Sequence, residues 1–408
     1  MRLPLLGVDR DTRMQPMERE PRVSSPSTDV LIVGAGPTGL AAGVVLTQLG
    51  HDVTVVDAHE EGRNTSRAAV VHARTLEALE PCGVTGQLVA RGLQASRFSV
   101  RDRDRILVPL SFAGQPTRYP YVLMLSQAET ERFLHDRLTA LGGRVVRPRT
   151  LRHVTQDDAG ATATFADGQT VRARYVVGAD GMHSTVREST GIGFEGSAYA
   201  ESFTLADVRL SGSPPADEVI LYVSPAGLVV LAPLPDGVHR IVATTDEAPE
   251  HPDAGFVQHL LDTRGPRRER VAVDEVVWGS RFRVQHRIAT AFRDGQVLLA
   301  GDAAHVHSPA GGQGMNLGIQ DAVQLADALA RVLDGGAPAL LDADATRRRQ
   351  AARKVITLTD RMTRLATTSA SLRPARNAVL GALGHVAPLR RRFAFRLAGL
   401  DRRPTRSG

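Results

Sequence analysis

Asp29-Val30-Leu31-Ile32-Val33-Gly34-Ala35-Gly36-Pro37-Thr38-Gly39-Leu40 decides how the rest of this chain is read. Asp29 to Val33 is a β-branched apolar run, residues 34–39 are a glycine turn, and Leu40 to Leu49 carries helical spacing that stops at Gly50. Each glycine has a physical reason. Gly34 permits the tight turn, Gly36 lets a pyrophosphate approach backbone that has no Cβ, and Gly39 lets helix and strand pack closely. Pro37 and Thr38 lie in this turn, and the freed N–H groups at the helix start that follows face an anionic ligand. A second strand, His51 to Val56, ends in Asp57, where a carboxylate can accept hydrogen bonds from both hydroxyls of an adenosine ribose.

Two later segments extend the site. Val176-Val177-Gly178-Ala179-Asp180-Gly181 ends an apolar strand and is followed by Ser184 and Arg187. Strand Val297 to Ala300 then delivers Gly301-Asp302, an acceptor placed for a ribityl or ribose hydroxyl, to the loop Pro309-Ala310-Gly311-Gly312-Gln313-Gly314-Met315-Asn316. A loop so poor in side chains can lie flat on an isoalloxazine ring, with N–H donors facing the charge that develops on reduction. The three segments describe a site for FAD, bound non-covalently.

Composition excludes other classes. The chain has 408 residues and 42% hydrophobic content, enough for a large core, and no apolar run long enough to span a membrane or act as a secretory signal, so a cytoplasmic location with no membrane partner is expected. Cys82 is the single cysteine, which leaves no internal disulfide or thiolate-rich metal site, and the histidines show no metal spacing. The net charge of +6 comes almost wholly from arginine, Lys354 being the only lysine. Its denser runs, near Arg347 to Arg353 and Arg390 to Arg403, lack interleaved aromatics and read as solvated helix faces and a basic tail rather than a nucleic-acid surface.

The fold class expected is α/β: a Rossmann-like FAD-binding domain interleaved with an antiparallel-sheet substrate domain, plus C-terminal helices. Residues 1–27 read as a disordered extension. The FAD-binding domain is expected over 28–97, 113–199 and 288–340, the substrate domain over 98–112 and 200–287, and a helical segment over 341–408. Helices are expected at Glu129 to Leu141, Leu317 to Leu333, and Ala345 to Leu400 with a break at Pro374. Phe203, Tyr222, Trp278 and Phe282 are plausible pocket walls, and no catalytic base identifies itself: His72, His239 and His286 each read as structural.

These segments, in this order, resemble the group A flavoprotein monooxygenases, the single-component aromatic hydroxylases with the para-hydroxybenzoate hydroxylase fold. The resemblance covers about residues 28–400 and is nearest to the bacterial natural-product branch, without the C-terminal thioredoxin-like domain of longer members. It implies that Gly34, Gly36, Gly39 and Asp57 bind the dinucleotide, Asp57 replacing the commoner Glu. It implies also that Arg67 lies near the FAD pyrophosphate, Gln127 beside the flavin chain, and Asp180, Gly181 and Arg187 in a segment serving FAD and nicotinamide. Gly301, Asp302, Pro309, Gly311, Gly312, Gly314, Met315 and Asn316 would form the flavin cover.

The family's chemistry is reduction by NADH or NADPH, addition of O₂ to a flavin C4a-hydroperoxide, and oxygen transfer to a phenolic, polycyclic or indolic substrate, by a monomer or homodimer. A Baeyer-Villiger or epoxidising oxygenase, a reductase, and a non-catalytic flavoprotein are the alternatives. A halogenase is excluded, because Lys354 lies among the terminal helices and Trp278 is the only tryptophan.

Overall fold

The computed structural model describes residues 27–61, 68–224, 226–245, 248–309, 311–366, 368 and 370–403. The N-terminal extension, apart from Ser27, and Arg67 therefore lie outside the described residues.

Strand Ser27–Val33 sits between Val53–Val56 and Thr170–Gly178, parallel to both, with Val297–Leu299 parallel beyond the latter and Arg144–Val146 beyond the former. Both faces of this sheet are covered, which is why its strands are apolar without alternation. Val30, Ile32, Val55 and Leu298 face helices Pro37–Gln48 and Gly314–Leu333, while Leu31, Val33, Val176 and Leu299 face Val186 and the helix Ala339–Ala366. Close approach is built in: a Cβ on Gly39 would stand 1.8 Å from the Gly34 carbonyl oxygen.

The second large sheet has eight strands. Its middle is Ala272–Ala289, Phe194–Ser211, Val238–Thr245, Gly227–Pro233 and Glu218–Ser224, and the hairpin of Arg97–Asp102 and Arg105–Ser111 completes one edge. The Arg97–Asp102 strand joins Glu218–Ser224 in parallel, so the early hairpin is part of the late sheet. Phe194–Ser211 and Ala272–Ala289 are 18 residues each and run from the nucleotide lobe into this sheet. Helix Ala254–Arg264 covers one sheet face, packing Val257, Leu260 and Leu261 on Ile220, Tyr222 and Ile241.

Several element boundaries differ from the sequence reading, among them the first helix, which starts at Pro37 rather than Leu40. Helix Gln127–Ala140 starts two residues early because Ser126 caps it, accepting the Glu129 N–H. Helix Gly314–Leu333 starts at Gly314, so Gly314, Met315 and Asn316 belong to its first turn rather than to the loop. The C-terminal helical segment is broken close to Pro374, as expected, since helix Ala339–Ala366 ends and a new one starts at Arg373, but Pro374 opens a helix rather than interrupting one. It lies in the first turn of Arg373–His385, where its missing N–H costs nothing, and Ala387–Leu397 follows.

Candidate functional site

The glycine turn is held at both ends. Gly34 adopts φ +104°, and a Cβ there would meet the Ala179 carbonyl oxygen at 2.2 Å, so the first and second motifs touch through backbone. Gly36 is the opposite case: its φ of −77° is ordinary and no atom lies within 4 Å of the position of a Cβ. Asp57 stands beside the turn, one carboxylate oxygen accepting the Ala35 N–H at 2.7 Å and the other the His59 N–H at 2.9 Å. Thr38 is a wedge between motifs, since a Cβ on either Gly301 or Gly318 would come within 2.5 Å of its hydroxyl oxygen.

Asp180 and Arg187 use their side chains locally. The Asp180 carboxylate accepts the Ser184 hydroxyl at 2.5 Å and the Val186 N–H at 3.1 Å, and burial pushes its pKa up. Arg187 is buried, donates to the carbonyls of Ala303 at 2.9 Å and Met182 at 3.0 Å, and lays its guanidinium 3.9 Å from the Phe194 ring centre. It ties the second motif to the third. Gly181, at φ +80°, turns the chain so that Met182 reaches the cavity wall.

The cover segment encloses one end of a cavity of about 460 Å³. Asp302, Pro309, Gly311, Gly312, Gly314 and Met315 line it, as does Gln127, whose amide also donates to Glu131 at 2.8 Å. Gly311 and Gly312 take left-handed φ of +79° and +63°, close against Leu397 and Val70. Asn316 is fully buried and fully engaged: it accepts the His72 N–H at 2.8 Å and donates to the carbonyls of Val70 at 2.8 Å and Gly312 at 2.7 Å. Its side chain therefore shapes the loop from behind.

His72 does the same from the other side. Its Nε2 lies 2.8 Å from the Gly311 carbonyl oxygen, so Nε2 carries the proton. Burial lowers the pKa from 6.5 to about 4, against the raising effect of that hydrogen bond, and the nearby Arg402 charge lowers it further. A base depressed in the folded state contributes full stability above the unfolded value of 6.5 and loses it as pH falls toward 4. His72 should thus account for about 3 kcal/mol of acid destabilisation. Urea unfolding of the apoprotein at pH 7 and pH 5 checks this: the stability difference should shrink in His72→Gln.

The residues present fit FAD. An open Gly36, a left-handed glycine loop on a cavity wall, and the N-terminus of a 20-residue helix aimed at that wall leave room and donors for a dinucleotide and its ring. Cys82 is buried in the nucleotide lobe, where burial pushes the thiol up to about 11, so it offers no thiolate.

The opposite wall is the second sheet, read with a period of two. Leu205, Val242, Val230 and Leu221 are paired neighbours across four strands and all line the cavity. Phe203 lines it too. Tyr222 does not: adjacent to Leu221, it points to the other face, under helix Ala254–Arg264. Trp278 does not line the cavity either, its ring lying 5.9 Å from the Arg240 guanidinium, and the side chain of Phe282 is outside the described residues. His239 donates to the Pro215 carbonyl and His286 meets Ser197, both outside the cavity lining.

Sequence reasoning missed several contributors. Arg240, gripped by Asp207 through two 2.7 Å bonds, places a charge on the apolar sheet floor, a pairing visible only once register puts the two residues opposite each other. His307 lines the cavity beside the cover loop. Met362, Thr363 and Leu397 bring the C-terminal helices into the wall, and Arg402 donates to Gln313 at 2.9 Å, so the end of the described chain supports the loop.

A family model described as an FAD binding domain matches residues 27–359. The 6-methylpretetramide 4-monooxygenase of Streptomyces rimosus is 39% identical over 383 residues, which are 91% of this chain and 68% of that protein. The structure of OxyS anhydrotetracycline hydroxylase from Streptomyces rimosus superposes with a TM-score of 0.77 at 33% identity, over 94% of this chain and 78% of that one. The Diels-Alderase PyrE3 of pyrroindomycin biosynthesis superposes at 0.78 with 28% identity, over 92% and 80%. This chain spans about two thirds of the length of the curated relatives it matches. It belongs to the FAD-binding family and, within it, to the group A FAD-dependent aromatic hydroxylases of the natural-product branch.

Proposed function

We propose that this protein is an NAD(P)H-dependent monooxygenase that hydroxylates a polycyclic phenolic intermediate of natural-product biosynthesis. The observation that carries the reading is the continuity of one apolar cavity from the glycine cover to the floor of the second sheet. Bound FAD would accept electrons from NAD(P)H and activate O₂. The chain's own part is placement and dryness. Leu205, Leu221, Val230 and Val242 present a flat apolar wall to a fused ring system, and exclude the water that would divert activated oxygen. Arg240 offers a charged anchor for a ring oxygen, and Asp207 fixes its orientation. Pro309, Gly311 and Gly312 keep side chains away from the ring's seat, and the first turn of the following helix directs N–H donors there.

The test is NADH or NADPH consumption with candidate aromatic substrates under isotopically labelled O₂. Stimulated consumption with one labelled oxygen in the product is the expected result. Reduction without label would mean a reductase, and label inserted into a ring as an ester or epoxide would mean the other oxygenase chemistries. A second reading, catalysis of a ring closure with FAD as scaffold, is favoured by the likeness to PyrE3 and to the dialkyldecalin synthase of Streptomyces rugosporus, 33% identical over 78% of this chain. It requires a product isomeric with its substrate and no consumption of NAD(P)H.

A further inference from the structure

Helix Arg373–His385 is inside out. Its inward face carries Arg376 and Asn377, both buried, beside a half-buried Leu380 that packs on the core: Arg376 donates to the Val223 carbonyl at 2.9 Å and Asn377 to the Asp102 carboxylate at 2.7 Å. Gly384 completes that face, since a Cβ there would stand 2.0 Å from the Leu107 carbonyl oxygen. The outward face is apolar: Ala375, Ala378, Val379, Ala382, Leu383 and Val386 are all exposed. Val379 is 58% and Leu383 46% exposed, and the row continues through Leu372 at 59% and Leu389 at 46%. A water-soluble helix places its residues the other way round. A contiguous apolar row of this kind marks a surface that something covers.

The charge around the row says what covers it. From Arg361 to Leu400 the chain has eight arginines and no aspartate or glutamate. Arg391, Arg392 and Arg396 are exposed and form no ion pair among the described residues. A second copy would bring the same arginine-rich segment against this one, and the two would repel. An apolar row flanked by cations suits a surface that is oily beneath and anionic above. The same segment supplies Met362 and Leu397 to the apolar cavity, whose contents would themselves partition into a bilayer. We infer that the C-terminal helices dock this protein on an anionic lipid surface, with the Leu372 to Leu389 row in the acyl boundary and the arginines among the headgroups.

The experiment is co-sedimentation of the FAD-loaded full chain with phosphatidylglycerol vesicles and with phosphatidylcholine vesicles. Wild type should partition to the anionic vesicles and release in high salt. Val379→Glu/Leu383→Glu and, separately, Arg391→Glu/Arg392→Glu should each weaken partition by about tenfold or more, with unchanged melting temperature and FAD content because these side chains face solvent. No binding to phosphatidylglycerol at low salt overturns the inference. So does binding that survives Val379→Glu/Leu383→Glu, which would mark a polyanion surface for an acidic protein. A dimer in gel filtration that this variant dissolves would make the occupant a second copy and equally overturn it.

Discussion

Gly36→Val should yield a folded protein that no longer retains FAD. Its backbone is in a conformation any residue adopts, and a Cβ would point into open space, so the fold has no reason to object. The cofactor does. A branched side chain at this turn occupies the place of the pyrophosphate and blocks the helix N-terminus, and affinity should fall by more than about a hundredfold. Gly39→Ala is the contrasting variant, three residues on. There the added methyl collides with the Gly34 carbonyl at 1.8 Å, and a stability loss of about 3 kcal/mol is expected. Flavin fluorescence titration and apoprotein unfolding separate the two: the first variant changes only binding, the second both. Normal FAD affinity in Gly36→Val would reduce the motif to a structural turn.

The second large effect lies away from the turn. Asp344 and Arg348 form a wholly buried pair, 2.6 Å apart, and Arg348 also donates to the Leu299 carbonyl at 2.8 Å, on the strand that delivers Gly301 and Asp302. Asp344→Ala strands a buried guanidinium and should cost about 3–5 kcal/mol, seen as a lower urea midpoint at unchanged slope. Replacing both, as Asp344→Ala/Arg348→Met, removes the orphaned charge and should recover most of that loss. If the double variant is no better than the single one, the pair is holding the strand in place by its hydrogen bonds rather than merely cancelling charge.

What could be read in advance follows from how local the cause is. The glycine turn, its flanking strands and the Asp57 strand end are set by residues a few positions apart, and the structure has them where the pattern put them. The cover loop was recognisable, but Asn316 turned inward to bind Val70 and Gly312 because its partner strand lies more than two hundred residues away, and no spacing announces that. Tyr222 was misjudged as a wall for a simpler reason: a strand with apolar residues on both faces gives no sign of which parity meets the cavity. The inside-out helix is the clearest limit. Arg376 and Val379 sit on a periodic helix in either orientation, and only the acceptors at Val223 and Asp102 decide that the arginine goes in.

The alternation of the second sheet separates two properties that in most cores are entangled. Leu221, Val230 and Val242 line the chamber, Leu221 and Val230 with part of their surface on the adjoining core, whereas their immediate neighbours Ile220, Leu231 and Ile241 pack on the side of the helix that closes the lobe from behind. Mutation on the first set alters what the enzyme accepts while the second set keeps the lobe assembled. New specificity can therefore be explored one residue in two, along strands whose intervening positions act as a fixed chassis, and a library confined to the chamber-facing parity should return folded proteins far more often than one spread over the same strands without regard to it.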